Sequence, residues 1–328
     1  MKHKFVGIDL GSSNLIIYVP GKGIIYNEPN IVAVNQMNKK VVATGYLALK
    51  ILGKEPESVS VIKPVNHGVI SSISMQTLMI ESVLKEKKHR NLLKNANLVI
   101  SVPSEMDEVN ILSVKKIAKN FDAKSLTIRS QSYLALLGCE SSDTSSRGNL
   151  IVTIGGGCSD ISVTSGTKLL ISRTSSFCGH DIDVAISRHL RKKHRLIIGE
   201  KTAEYIKMKI GSLEQFPENR LLEVSGRDLV TSLPNSIVIA TMEIKQAITP
   251  TLTPLIESIT DCLEITPPEV ASDIIESGIM ICGGSALLGG MREYLESNLN
   301  ITVRVLGDPT YAVINGIKNL IHQGISKK

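Results

Sequence analysis

Two stretches of this chain place small residues where chemistry on a phosphate would need them. Leu150-Ile151-Val152-Thr153-Ile154 leads into Gly155-Gly156-Gly157-Cys158, and the alternating run Ser159-Asp160-Ile161-Ser162-Val163 leaves it. A β-branched run, a glycine turn and a returning run read as a hairpin. A turn without side chains lets a ligand approach its backbone, and consecutive N–H groups there make a nest for an anion, commonly phosphate. A purely structural hairpin is the alternative, since glycine clusters mark turns of every kind. A second copy weighs against it. Phe5-Val6-Gly7-Ile8-Asp9-Leu10 enters Gly11-Ser12-Ser13-Asn14, and Leu15-Ile16-Ile17-Tyr18-Val19 returns. Two such hairpins point to two related halves facing each other across a nucleotide. At the matching place the first carries Asp9 and the second Thr153, so only the first offers a carboxylate there.

Other residues could serve the same site. Ile279-Met280-Ile281-Cys282 runs into Gly283-Gly284-Ser285-Ala286, glycines between strand and helix against which a nucleotide can lie. Glu204 and Lys207, three apart, share a helix face, and a surface ion pair is the plain reading of them. Lys85-Glu86-Lys87-Lys88-His89-Arg90-Asn91-Leu92-Leu93-Lys94 has two readings. One is a solvated helix end with a buried leucine pair. The other is a membrane-touching loop, basic residues near anionic headgroups and Leu92 and Leu93 dipping into the interface. His189 lies in an apolar stripe with Ile182, Ala185, Ile186 and Leu190 and reads as a packed core histidine rather than a ligand.

The elements that must hold these residues follow from periodicity. Leu98–Val102 and Leu126–Ile128 read as strands, and helices run through Met75–Val83, around Val114–Phe121, and from Gln131 to Gly138. Ile24-Ile25-Tyr26 reads as a third strand that Asn27-Glu28-Pro29-Asn30 breaks, and residues 35–63 read as a small insertion of short strands and one brief helix. The polar run Ser141–Gly148 is the best boundary in the chain. Thr202 is a candidate N-cap. Later elements are a strand at Ile237–Ile239, helices at Thr241–Thr249, Leu255–Leu263 and Ala312–Ile321, and a strand at Val303–Val305.

At 328 residues the chain fits two domains or two halves with insertions. Its 42% hydrophobic and 21% charged residues are ordinary for a globular protein, and with only 3% aromatics the core must be Ile, Leu and Val. A net charge of +6 suits an acidic partner without naming one. Nucleic acid is not expected, because the basic run Arg191–Arg195 lacks interleaved aromatics and suits a helix C-terminus. No apolar run approaches the roughly 20 residues of a membrane span. Met1-Lys2-His3-Lys4 runs straight into the first strand, so no signal peptide is expected. Five scattered cysteines lack metal-ligand spacing and fit a reduced, cytoplasmic compartment.

In the order Asp9-Leu10-Gly11, Gly155-Gly156-Gly157, Gly283-Gly284, the glycine turns resemble those of the actin and DnaK-type ATPase superfold. Nearly end to end, the chain resembles the bacterial actins of the MreB family. The resemblance is carried by Asp9–Asn14, Gly21–Ile24, Asn27-Glu28-Pro29, Val102-Pro103-Ser104, Ile198–Glu204, Gly226–Thr231 and Thr266–Glu269. It implies an α/β, actin-like fold: two related halves, each with a central sheet flanked by helices, and four subdomains around a cleft for ATP and Mg²⁺. Subdomain IA would take 1–31, 65–145 and 308–328, IB 32–64, IIA 146–180 and 246–307, and IIB 181–245. It further implies that Gly11, Ser12, Ser13 and Asn14 form the first phosphate loop and Gly155, Gly156, Gly157 and Cys158 the second. Glu204 and Lys207 would bracket ribose and adenine, Gly283, Gly284, Ser285 and Ala286 would pass behind the adenosine, and Asp9 would hold Mg²⁺ through water. Leu92 and Leu93 fall near the family's membrane-inserting loop.

The departures bear on catalysis. An acid that orients the attacking water is replaced by Gln131, followed by Ser132; the second-loop aspartate is Thr153, and the threonine after its glycines is Cys158. An amide can align water but cannot accept its proton. The expectation is an ATP-binding filament protein with weak or absent hydrolysis, assembling head to tail with itself, with paralogous copies and at the inner face of the cell membrane. Replacement ligands from Asp160 are the alternative to lost catalysis. A small-molecule kinase or chaperone-type ATPase is the rival: the first would need a substrate pocket, the second a peptide-binding domain.

Overall fold

The computed structural model describes residues 4–139, 147–215 and 217–326. The N-terminal Met1–His3 and most of the polar run Ser141–Gly148 singled out above lie outside the described residues. The chain divides into two units, with the division falling in that run and the segment from Thr310 returning to the first.

The first unit opens with β1 (Phe5–Leu10), β2 (Asn14–Val19) and β3 (Gly23–Pro29). Then come β4 (Val32–Asn35), β5 (Val41–Thr44), α1 (Gly45–Ile51) and β6 (Val59–Ile62), and a short hairpin of β7 (Val65–Asn66) and β8 (Val69–Ile70). The rest is α2 (Ile73–Glu86), β9 (Asn97–Val102), α3 (Glu108–Asn120), β10 (Ser125–Ser130) and α4 (Gln131–Leu137). The second unit holds β11 (Gly148–Ile154), β12 (Ser159–Ser165), β13 (Lys168–Ser175), α5 (Gly179–His194), β14 (Leu196–Ile197) and α6 (Glu200–Ile210). It continues through β15 (Leu221–Asp228), β16 (Pro234–Ala240), α7 (Thr241–Ile248), α8 (Thr253–Glu264), α9 (Pro268–Ser277), β17 (Ile279–Cys282), α10 (Met291–Leu299) and β18 (Val303–Val305). The last helix, α11 (Ala312–Ser326), belongs to the first unit.

Each unit is built on the same five-stranded sheet. The orders are β10-β9-β1-β2-β3 and β18-β17-β11-β12-β13. In both, a glycine hairpin joins an antiparallel pair (β1 with β2, β11 with β12), and the first strand of each pair lies parallel to a strand from later in the unit. The internal repeat read from the two hairpins is therefore a repeat of whole sheets. The central strands β9 and β11 are buried along their whole length, which is why they read as continuous apolar runs rather than alternating ones. Isoleucine, leucine and valine make most of both cores, as the scarcity of aromatics requires.

Residues 32–62 form a three-stranded sheet ordered β5-β4-β6 with α1 packed on it through Ile31, Ala33 and Ala48, matching the short strands and brief helix expected over 35–63. Three local expectations need correction. β3 runs through Asn27 and Glu28 to Pro29, since Pro29 ends an edge strand where its missing N–H costs no ladder bond. Thr202 does not cap α6: the helix begins at Glu200 with Gly199 at the N-cap, so Thr202 is already inside its first turn.

Leu92 and Leu93 are the third correction. They are 9% and 1% exposed and belong to the first unit's core with Val83, Leu84, Ala96 and Leu98. The chain leaves α2 through a left-handed Lys88, and the His89 N–H bonds Leu84 O at 2.6 Å, turning the leucine pair inward. Of the two readings, the buried pair is the one the fold adopts. Lys85, Lys87, Lys88, Arg90 and Lys94 around them stay exposed.

Candidate phosphate-binding loops

The two glycine hairpins close in the same way. The Gly11 N–H bonds Asn14 O at 3.1 Å, and the Gly155 N–H bonds Cys158 O at 2.9 Å. A Cβ on Gly11 would lie 2.8 Å from Asn14 O, and one on Gly155 2.7 Å from Cys158 O, so neither turn accepts a side chain at its first position. Among the described residues, no partner takes up the backbone N–H groups of Ser12, Ser13, Gly156 or Gly157. Each turn thus presents adjacent unclaimed donors, the arrangement an anion nest requires.

In the first unit the loop is braced from two sides. Asn30 donates its Nδ2 to Gly11 O at 2.8 Å and its backbone N–H to Ser13 O at 2.8 Å, and Ser12 Oγ accepts from Gly68 N at 2.8 Å. Asp9 stands on β1 directly across from Ser101 of β9, whose hydroxyl donates to Asp9 Oδ1 at 2.5 Å. Burial pushes the Asp9 carboxyl up to about 6, against the opposing pull of that bond. An acid poised this way gains from a cation. Its chemistry fits a magnesium ion held through water, and a magnesium ion supplies neutralisation of phosphate charge. Gln131, at the start of α4, is 7% exposed.

The second unit repeats the register with different chemistry. Thr153 faces Cys282 of β17 at the position where Asp9 faces Ser101, and its Oγ1 lies 3.4 Å from Cys282 Sγ. Opposite Asp9 in the hairpin stands Ile16; opposite Thr153 stands Asp160. An acid is therefore present in this layer, but on the returning strand. Asp160 is fully buried and accepts the Thr174 hydroxyl at 3.0 Å, so it is engaged inside the sheet.

Around this loop the fold gathers residues from distant parts of the unit. The N–H groups of Gly179 and His180, at the start of α5, bond Gly155 O and Gly156 O at 2.9 and 3.0 Å. Ser285 Oγ donates to Gly155 O at 3.4 Å. Gly283, at φ +91°, turns β17 into the 3-10 turn at Gly284–Leu287, of which Ala286 is the buried member. Lys207 does not pair with Glu204. Its Nζ reaches from α6 to Gly179 O at 3.0 Å and to Asp183 of α5 at 2.8 Å, while Glu204 stays exposed. Burial keeps the Asp183 carboxyl above its usual range despite the lysine.

Ser101, Asn30, Gly179 and Asp183 escaped the sequence reading. Ser101 and Asn30 act across strands, which no spacing in the chain reports. The start of α5 did leave a trace: Asp181 accepts from the Cys178 N–H at 2.7 Å, a capping pattern legible as an acid three residues into a helix.

The family model described as MreB/Mbl protein matches residues 3–327. The cell shape-determining protein Mbl of Bacillus subtilis (strain 168) is 33% identical over 95% of this chain and 93% of its own length. The cell shape-determining protein MreB of Escherichia coli (strain K12) is 32% identical over 95% and 91%. The crystal structure of Spiroplasma citri MreB5 bound to AMPPNP superposes with a TM-score of 0.94 at 30% identity, covering 100% of this chain and 99% of that one. A MamK double helical filament shares the fold, with a TM-score of 0.78 at 19% identity over 98% of this chain and 99% of its own. The likeness holds from end to end in sequence and in fold, and the chain belongs to the MreB/Mbl family of actin-like cytoskeletal proteins.

Proposed function

We propose that this chain binds ATP with Mg²⁺ and assembles into filaments, hydrolysing the nucleotide slowly or not at all. The observation that carries the nucleotide reading is the pair of identically closed glycine turns with unclaimed N–H groups. The MreB5 relative was crystallised with AMPPNP and with ADP, which supports it. In this reading Gly11–Asn14 and Gly155–Cys158 hold phosphates, Asp9 holds the metal through water, Glu204 and Lys207 take the ribose and adenine side, and Gly283–Ala286 lies behind the adenosine. The four-subdomain division given above is part of the same proposal.

Weak hydrolysis rests on what the phosphate loops lack. Gln131 orients water by hydrogen bonding and takes no proton from it. Thr153 supplies no charge beside the metal, and Asp160 is tied to Thr174. Losing groups of this kind costs on the order of 10²–10⁴ in rate for each acid–base role. Assembly is inferred to be head to tail, a contact that repeats without closing, with paralogous copies able to join. The setting is cytoplasmic, against an anionic membrane. With the leucines buried, the exposed Lys85, Lys87, Lys88, Arg90 and Lys94 would make that contact by charge, so it should weaken with salt.

Sedimentation of the purified chain with ATP and Mg²⁺, with electron microscopy of the pellet, tests assembly. Filaments are expected with nucleotide and not without it. Phosphate release at the rate of an active ATPase would overturn the hydrolysis part, and a soluble, non-pelleting nucleotide complex would overturn the filament part.

A further inference from the structure

One cluster lies toward the C-terminal end of α5, away from the end that meets the glycine turn. His189 and His194, near and at the end of α5, both aim Nε2 at a single oxygen, Oε1 of Glu243, at 2.8 and 2.5 Å. Glu243 sits in the first turn of α7. Arg195 ends α5 in a left-handed conformation immediately after His194. His189 is consequently no core histidine: the histidine side chains are each 23% exposed and Glu243 is 14% exposed. The floor beneath them is apolar and firm, with Ile186 and Leu190 of α5 and Ile244 and Ile248 of α7 all fully buried.

We propose that His189, His194 and Glu243 form a binding site for one divalent transition-metal ion of the zinc type. Two imidazole nitrogens and a carboxylate are the ligand set such ions prefer, with water completing a tetrahedron. The three ligand atoms already lie within 4.8 Å of one another. The ion would sit where the shared hydrogen bonds now converge, each Nε2 turning its lone pair inward with the proton on Nδ1. The partial exposure leaves an entry path. Lys193 is a cation already at the carboxylate, its Nζ 3.3 Å from Oε1, but its side chain is 54% exposed and can swing into solvent. Nitrogen ligands set this site apart from the all-oxygen chemistry of magnesium.

The test titrates the chelator-washed full chain with Zn²⁺, and separately with Co²⁺, in excess Mg²⁺. Expected are one ion per chain, a rise in Tm, and the intense visible absorption of tetrahedral Co²⁺. His189→Ala and His194→Ala should each weaken binding at least about tenfold. Glu243→Gln keeps an oxygen for both imidazoles, so it preserves the fold while losing the charge, and should also weaken binding. Lys193→Met removes the competitor and should tighten it, an effect no merely structural role would produce. Absence of one-to-one binding in the wild type, or affinity unchanged in Glu243→Gln and both histidine variants, overturns the proposal.

Discussion

Asp9 and Thr153 occupy one position of a repeated sheet, a carboxylate beside Ser101 in one unit and a hydroxyl beside Cys282 in the other. Asp9 costs stability in the absence of a cation. With its carboxyl raised to about 6, the native state favours the protonated acid; that contribution is complete below the ordinary carboxylate range and is lost as pH rises through 6. Asp9→Asn keeps an acceptor for Ser101 and should stabilise the nucleotide-free chain by about 1–3 kcal/mol at pH 7. The gap should open between about pH 4 and 6 and stay level above, as denaturant melts across pH would reveal. The same variant should lose magnesium-dependent nucleotide affinity. Thr153→Asp is the converse case. It would face the fully buried Asp160 across the hairpin, so we expect about 1–3 kcal/mol of destabilisation from paired like charges. Combined with Gln131→Glu it should raise phosphate release, and Asp160→Asn should restore the lost stability.

Helix α5 links the loop to the rest of the second unit. Its first residues bond the glycine turn, and Asp183, one turn in, holds Lys207 of α6. The pair is mostly buried, at 16% and 9% exposure, so removing one partner strands the other. Lys207→Met should cost about 3 kcal/mol and weaken nucleotide binding, whereas Lys207→Met with Asp183→Asn should recover much of the stability. Urea melts of the four proteins of that cycle measure it. The α2–β9 connection is a second case in which an element decides a residue's meaning. Leu93→Ala should cost about 2–5 kcal/mol, the usual penalty for a fully buried leucine. Liposome binding at matched folded fraction should be unchanged. Charge reversal at Lys87 and Arg90 is the change expected to reduce it.

Across the whole molecule, the duplicated sheet is the organising fact. Each unit presents one glycine turn at the same point of the same five-stranded order, so a duplicated hairpin implies a duplicated unit. Family membership rests on the whole length of the chain, but the proposed assembly is a separate matter, and pelleting with nucleotide is its measurement. A family member with two sound loops and few acids should hold nucleotide long after binding, giving filaments that persist where those of a faster ATPase would turn over.

Local patterns in the chain were enough for the hairpins, the repeated halves, the short strands and brief helix over 35–63 and the contrast between Asp9 and Thr153. All of these depend on neighbours in sequence: β-branched runs, glycine turns and the register a tight turn imposes. Contacts made across strands and between helices were not legible. Ser101 reaches Asp9 from 92 residues away, Lys207 chooses Asp183 over Glu204, and His189 leaves its apolar stripe for Glu243. Leu92 and Leu93 read equally well as core or as membrane anchor, because hydrophobicity reports that a side chain avoids water and not where it goes. The turn after α2 settles that, and only folding makes the turn.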